Sequence, residues 1–386
     1  MTLPKVVVTG IGITTALAGA AQSNWERIAA GESAIALRQP FLSLPPIPLA
    51  MAGKHPMLLD DILQMVVSAA WRDADLTVAD GEACGVVVGS SRSYLRDWEA
   101  MATCSPQNSN DFSGDWLAAL PHMPALAAAR QIGSTGPVLA PMAACATGIW
   151  AIAQGADLIR SGQCQRVLAG AVESPITPLT IAGFLKMGAL AKTGCYPFDC
   201  DREGFVLGEG GAVVVLESAA AARARGASTY GEILAAGITN DSHHVSAFDP
   251  TYRMGKAALA NCLRRSGLSA EAIDAVHAHG TSTVQNDCME ARLVEQMLRS
   301  QVPIMATKGA TGHTLGASGA LTVALSLMSL KRQQLLPCTG LSKSDFELNF
   351  VRAAKAQRLR NILCLGFGFG GQNAAIALAA TAQQGN

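Results

Sequence analysis

Charged residues make up only 15% of this 386-residue chain, aromatics only 5%, and the formal net charge is zero. No Lys/Arg run offers a surface to nucleic acid or to an anionic membrane. No apolar run is long enough to span a bilayer. Residues 1–12 lack the charged and apolar regions and the cleavage site of a signal peptide. These absences predict a cytoplasmic protein. The ten cysteines are scattered without a Cys-x-x-Cys pair, and the one close pair, Cys195 and Cys200, has no nearby partner. That spacing predicts free thiols rather than a zinc site or a disulfide framework. Three common catalytic signatures are missing as well. Gly10-Ile11-Gly12 lacks the third glycine of a dinucleotide fingerprint, since Thr15 stands there. Lys308-Gly309 is the wrong order for a phosphate loop. No Gly-x-Ser-x-Gly elbow surrounds Ser93 or Ser318.

What is abundant is hydrophobic, at 49%, together with 38 glycines. Short Val-rich runs, such as Val6-Val7-Val8, Val86-Val87-Val88 and Val213-Val214-Val215, alternate with Ala/Leu-rich helical stretches. Continuous apolar strands suit a sheet covered on both faces, so the class is α/β. A weak internal repeat accompanies this alternation. A helix, Leu76, an acidic turn and a strand ending at Gly89-Ser90 recur as a helix, Leu268, Glu271 to Asp274 and a strand ending at His279-Gly280. Strand, Cys145, helix in the first half resembles strand, Lys308 to His313, helix in the second. Such a repeat predicts a duplicated domain with halves 1–225 and 226–386 and a site between them. The proline-rich stretch 35–58 and residues 101–115 read as irregular loops.

Cys145 precedes a small-residue helical pattern running from Ile149 to Ile159. A thiol in the first turn of a helix would be shifted towards thiolate. His277 and His279, two apart, would share one strand face but lack a third metal ligand, so no metal site is expected. His277 reads as structural, and His279, at the strand end, as functional. Four glycines surround His313 between Lys308 and Gly319. They fit either a tight strand-to-helix connection or a close backbone approach at a site.

Five segments then carry a resemblance. They are Ala144-Cys145-Ala146-Thr147-Gly148, Pro197-Phe198-Asp199 through Gly208-Glu209-Gly210, His279-Gly280-Thr281-Ser282-Thr283 with Asn286-Asp287 and Glu290, Thr307-Lys308 with Thr311-Gly312-His313, and Gly366 to Asn373. In this order they resemble the elongating, Cys-His-His branch of the β-ketoacyl-acyl carrier protein synthases. The resemblance implies a thiolase-like fold of two βαβαβαββ halves in five α-β-α-β-α layers. It implies decarboxylative condensation of a Cys145-bound acyl chain with malonyl-acyl carrier protein in fatty acid elongation. By the same resemblance, the amides of Cys145 and Phe369 form an oxyanion hole and the Phe369 ring gates the entrance. His279 and His313 donate to the malonyl thioester oxygen, and Lys308 holds the network in register with Glu290 as its partner. Thr281 and Thr283 bond the phosphopantetheine arm. The implied partner is acyl carrier protein, the implied assembly a homodimer, or a heterodimer with a related subunit, and no cofactor or metal is called for.

Three residues depart from the family pattern. Asn286 stands where the fatty-acid enzymes have glycine, Gln372 where they have threonine, and Arg92 near a position that limits acyl length. A charge in an apolar tunnel is costly, so Arg92 either turns towards a dimer partner or alters the tunnel. These departures suggest a specialised polyketide or secondary-lipid ketosynthase as the alternative. A non-catalytic partner subunit of the chain-length-factor kind fits less well, because Cys145, His279, Lys308 and His313 are all present.

Overall fold

The computed structural model describes residues 3–103, 116–299 and 301–381. One mixed sheet of ten strands runs through it. In spatial order the strands are Ile304–Met305, Ala275–His277, Asn361–Gly368, Gln372–Ala379, Gly231–Asn240, Val6–Thr15, Gly210–Ser218, Arg166–Glu173, Gly85–Gly89 and Val138–Leu139. The middle junction, Val6–Val8 against Gly231–Ile233, is antiparallel and only three residues long. Moving outward from it, each half shows two antiparallel pairings and then two parallel ones. With their helices, the halves have the same βαβαβαββ order, so the duplication legible in the spacing is a duplication of topology. The turn after Leu59–Asp73 recurs after Arg253–Ser266, as short 3-10 segments at Val78–Gly81 and Ala270–Ala272.

Helices occupy three layers. Leu59–Asp73 and Met123–Ile132 cover the outer face of the first half. Arg253–Ser266 and Val284–Met297 cover that of the second. Thr147–Arg160 and Ser318–Arg332 lie between the two halves in one shared core. Ser318–Leu330 is buried on every side, which is why its sequence is apolar or small all round rather than amphipathic. The two central helices meet backbone to backbone at their starts. A Cβ on Gly148 would lie 2.2 Å from the Ala320 amide nitrogen, and one on Gly319 would lie 2.8 Å from that of Ile149. This contact brings the segment carrying Cys145 beside the segment carrying His313.

Two expectations change. The stretch 35–58 is not wholly irregular: Ile35–Arg38 and Ile47–Ala50 form an antiparallel hairpin that adds Leu207–Gly208 in parallel. Its prolines fall mainly in the connections, and Pro48 takes a position in a small three-stranded sheet. Of the loop expected over 101–115, residues 101–103 end the Leu95–Thr103 helix. The remainder lies outside the described residues.

Candidate active site

Cys145 sits on a strained turn. Ala144 adopts a left-handed φ of 46°, a conformation that a residue with a Cβ rarely takes. Thr147 fastens the turn, accepting from the Ala143 amide at 2.8 Å and donating to the Ala144 carbonyl at 2.7 Å. The helix begins at Thr147 with Ala146 as its cap, so the thiol lies just ahead of the first turn rather than in it. Cys145 is 8% exposed. Burial pushes its thiol up to about 12, and the charges of Lys308 and Arg92 pull it down without overcoming that. The resting thiol therefore keeps its proton, contrary to the thiolate expected from helix-start placement. Desolvation outweighs the field of a helix end once the group is sealed from water.

The hairpin Asn361–Gly368 and Gln372–Ala379 closes against this turn. A Cβ on Gly368 would lie 2.9 Å from both the Cys145 nitrogen and the Ala143 oxygen, so only glycine admits the approach. Phe369 follows immediately, and its ring lies 6.3 Å from Phe184.

His279 is held from two sides. The strand ends at His277, and Thr283 caps the next helix by accepting from the Asn286 amide. On that helix Glu290 reaches back and accepts from the His279 amide at 2.5 Å and the Gly280 amide at 2.8 Å. From the opposite side the Lys308 ammonium donates to the His279 carbonyl and lies 3.4 Å from its ring Nδ1. No direct Lys308–Glu290 ion pair forms among the described residues, although the sequence suggested one. The two charges instead grip the main chain of the residue between them. Burial raises the Glu290 carboxyl and lowers the Lys308 ammonium, with Glu290 drawing Lys308 back up.

His313 comes from the second half but is pinned by the first. Its amide donates to Val206 at 2.6 Å, and its carbonyl accepts from Gly208 at 3.1 Å. That gives the run from Pro197 to Gly210 a structural role: it serves as a clamp. Its Asp199 accepts from the Ser342 and Lys343 amides, and its Glu209 from those of Ala52 and Met57. The His279 and His313 rings meet edge to face, with centroids 5.4 Å apart, and Phe205 packs edge-on against His313 at 5.3 Å. Burial first, then the Lys308 charge, hold both imidazoles well below their ordinary range. Both are neutral at physiological pH.

A cavity of about 380 Å³ is lined by Cys145, His279, His313, Phe369, Thr281 and Thr283, among others. Thr281 and Thr283 share a hydroxyl hydrogen bond of 2.9 Å at its side. Lys308 and Glu290 stand behind His279. Six of the residues singled out in the sequence thus line one cavity, with Lys308 and Glu290 behind it. Three contributors carried no clear sequence signal. Phe205 is an aromatic wall inside a clamp segment. Glu173 accepts from Ser90, Ser91, Arg92 and Gly316, tying the Gly89–Arg92 loop to the turn after His313. Ser318 bonds His313 Nδ1 at 2.8 Å. Arg92 places its guanidinium 5.2 Å from the centre of the Phe184 ring, beside the apolar cluster that includes Cys145.

His277 is separate from this site. It bonds Ser326 at 2.9 Å and Thr307 at 3.1 Å. Because the strand ends there and Gly280 turns at a φ of 48°, the alternation that would align it with His279 does not persist. Among the described residues the only trio close enough to share a metal is Asp199, Cys200 and Asp201, where Asp199 is already engaged by backbone amides. Burial and the Lys308 charge hold His277 down to about 3. A ring that must stay neutral contributes stability above its unfolded value near 6.5 and loses it as pH falls towards the folded value. His277→Gln is expected to flatten the acid limb of stability by about 2 kcal/mol between about pH 6.5 and pH 5. Urea midpoints across that range test this; an unchanged slope would exonerate His277.

Comparison with known proteins shows the family. The profile for the N-terminal domain of beta-ketoacyl synthase matches residues 51–222, and that for the C-terminal domain matches 230–342. The chain belongs to the β-ketoacyl synthase family. It is 32% identical to the 3-oxoacyl-(acyl-carrier-protein) synthase 2 of Mycobacterium bovis, over 97% of each chain. It is 30% identical to the Synechocystis protein of that name, again over 97% of each. A beta-ketoacyl synthase from Burkholderia phymatum superposes with a TM-score of 0.85 at 27% identity, covering 98% of this chain and 100% of that one. A type II polyketide ketosynthase, solved with its acyl-carrier protein, shares the fold with a TM-score of 0.92 at 24% identity, covering 98% and 100%. These matches place the chain in the thiolase-like fold. Among the described residues no helix is long and apolar enough to cross a membrane.

Proposed function

We propose that this ketosynthase extends acyl chains on acyl carrier protein, as a 3-oxoacyl synthase of fatty acid elongation. The observation that carries the reading is the single cavity joining Cys145, His279, His313 and Phe369, with Lys308 and Glu290 behind it. In the first half-reaction the Cys145 sulfur attacks the acyl thioester and the carrier thiol leaves with the proton. The amides of Cys145 and Phe369 hold the oxyanion; losing one such donor costs about a hundredfold to a thousandfold in rate. In the second, the carboxylate of a malonyl thioester departs as carbon dioxide. The resulting enolate, held by the histidines, attacks the acyl carbon. The carbon–carbon bond forms as the bond to sulfur breaks, and the thiolate takes a proton from solvent.

Thr281 and Thr283 bond the phosphopantetheine arm at the side of the cavity, and the chemistry calls for no further cofactor. The halves 1–225 and 226–386 contribute the nucleophile and the two histidines with Lys308, respectively. A homodimer is favoured by the edge strand Val138–Leu139, whose residues are over a third exposed, and by the exposed Met142 beside it. We place the protein in the cytoplasm.

A specialised polyketide or secondary-lipid role is the second reading. It is favoured by Arg92 beside the apolar cluster, and by Asn286, whose amide bridges Asp287 at 3.1 Å and Glu290 at 3.3 Å. Purified protein with acyl- and malonyl-carrier protein should release carbon dioxide and form a 3-ketoacyl product. Absence of both would overturn the reading, and products from primers of several lengths and polarities separate the two pathways.

A further inference from the structure

We propose that Arg92 is a specificity-determining residue whose guanidinium receives the far end of the acyl chain, and that this end carries an oxygen acceptor, best met by a carboxylate. This deepens the ketosynthase reading and rests on it. Arg92 is not among the residues lining the cavity that holds the two histidines. Its backbone is fixed by the loop that follows the strand Gly85–Gly89. There the buried Glu173 carboxylate accepts from five donors. On Oε1 they are the Ser90 hydroxyl at 2.7 Å and the Arg92 amide at 3.0 Å. On Oε2 they are the Ser91 amide at 2.8 Å, the Ser91 hydroxyl at 2.6 Å and the Gly316 amide at 3.0 Å. The Ser90 oxygen also accepts from the Ser93 amide at 2.8 Å, where Ser93 turns at a left-handed φ of 49°. A carboxylate offers about four acceptor sites, so Glu173 holds the Arg92 amide and has nothing left for its side chain. Among the described residues the guanidinium makes no ion pair or hydrogen bond, and its Nε is sealed from solvent without a partner. Its one recorded contact is the Phe184 ring, 5.2 Å away. A ring face attracts the cation but leaves its in-plane N–H groups unbonded.

The position of this unsatisfied fork gives it a ligand. Phe184 stands on the helix Pro178–Lys186, with its ring 5.0 Å from Phe205 and 6.3 Å from Phe369. The apolar cluster built on these rings also contains Cys145, Ile176, Ile181 and Leu315. An apolar wall therefore runs from the reactive sulfur to the guanidinium. The two ends also sense each other: burial pushes the Cys145 thiol up, and Arg92 is one of the two cations that pull it back. An acyl chain that follows this wall away from Cys145 reaches Arg92. A methyl end would leave the sealed N–H groups without an acceptor, which costs most where water is excluded. A carboxylate end accepts two parallel N–H bonds from the planar fork, and a hydroxyl or carbonyl end accepts one.

The test is acylation of Cys145, followed by mass, from carrier protein bearing chains that end in carboxylate, hydroxyl or methyl, each at several matched lengths. At its best length the wild type should load the carboxylate-ended chain about tenfold to a hundredfold faster, in kcat/KM, than the methyl-ended one. Arg92→Leu should reverse that order, with the methyl-ended chain gaining. Arg92→Lys, which keeps the charge without the fork, should hold an intermediate preference. A wild type that loads methyl-ended chains at least as fast at every length would overturn the assignment, and so would an unchanged order in Arg92→Leu. Should Arg92→Leu fail to fold, the wild-type order and Arg92→Lys decide. Sedimentation adds a separate readout: an Arg92→Leu variant that dissociates but keeps the wild-type order gives the guanidinium to a second copy of this chain, against the proposal. A wild type that loads none of the chains sinks the ketosynthase reading and this inference with it, whereas loading in the wrong order sinks this inference alone.

Discussion

Replacing Cys145 with alanine is expected to abolish covalent acyl uptake and to lower condensation on the order of 10⁴-fold or more. The cavity brings one thiol to the two imidazoles, and among the described residues no other cysteine lines it. Cys195 and Cys338 are sealed elsewhere in the core, with burial pushing the Cys195 thiol up to about 12. Alanine fits the space of a side chain that faces a cavity, so folding, followed by circular dichroism, should survive. Acyl label retained by the alanine variant would remove Cys145 as the nucleophile. The protonated resting thiol adds a second readout. Because burial holds it up to about 12, the thiolate fraction grows with pH throughout the working range. Alkylation of Cys145 in the free enzyme should therefore keep rising through about pH 9, rather than levelling off below neutrality as an activated thiolate would.

The second large effect concerns the charges around His279. Lys308→Ala or Glu290→Ala alone should cost about 3–5 kcal/mol, because each leaves a buried charge without compensation. Glu290→Ala also strips the His279 and Gly280 amides of their acceptor. The paired replacement, Lys308→Met with Glu290→Gln, removes both charges while keeping most of the volume. It should cost clearly less than the sum of the single losses. Chemical denaturation of the three variants measures this, and strict additivity would show that the two charges do not act through His279. Activity should be lost even where stability is recovered, since the ring orientation depends on the ammonium at Nδ1.

Much of this was legible in advance. Cys145, His279, Lys308, His313 and Phe369 sit in segments whose residue order is distinctive, and the repeat of helix, leucine, acidic turn and strand exposed the duplication. The misreadings have physical causes. The thiol was expected to be activated because a helix follows it, but desolvation is a property of everything packed around Cys145, including Leu315 and Phe205. Glu290 was expected to touch Lys308 because a buried lysine needs a partner. The partner acts through a backbone held between them, a geometry that spacing along a chain cannot express. His277 and His279 were expected to share one strand face; the strand ends between them, and His277, read as structural, bonds Ser326 and Thr307.

By itself the sequence determined the α/β class, the duplication, the family and the candidates for the reactive side chains. Those follow from periodicity and from residue order, which are local. Only the tertiary structure decided the protonation of the thiol, the neutrality of both imidazoles and the way the first-half clamp at Val206 and Gly208 holds His313 from the second half. It also brought out Ser318, a serine with no motif of its own, as the neighbour of His313 Nδ1. Burial, field and hydrogen-bond direction arise from groups far apart in the chain, and they exist only once the two halves have closed on the Gly148–Ala320 contact.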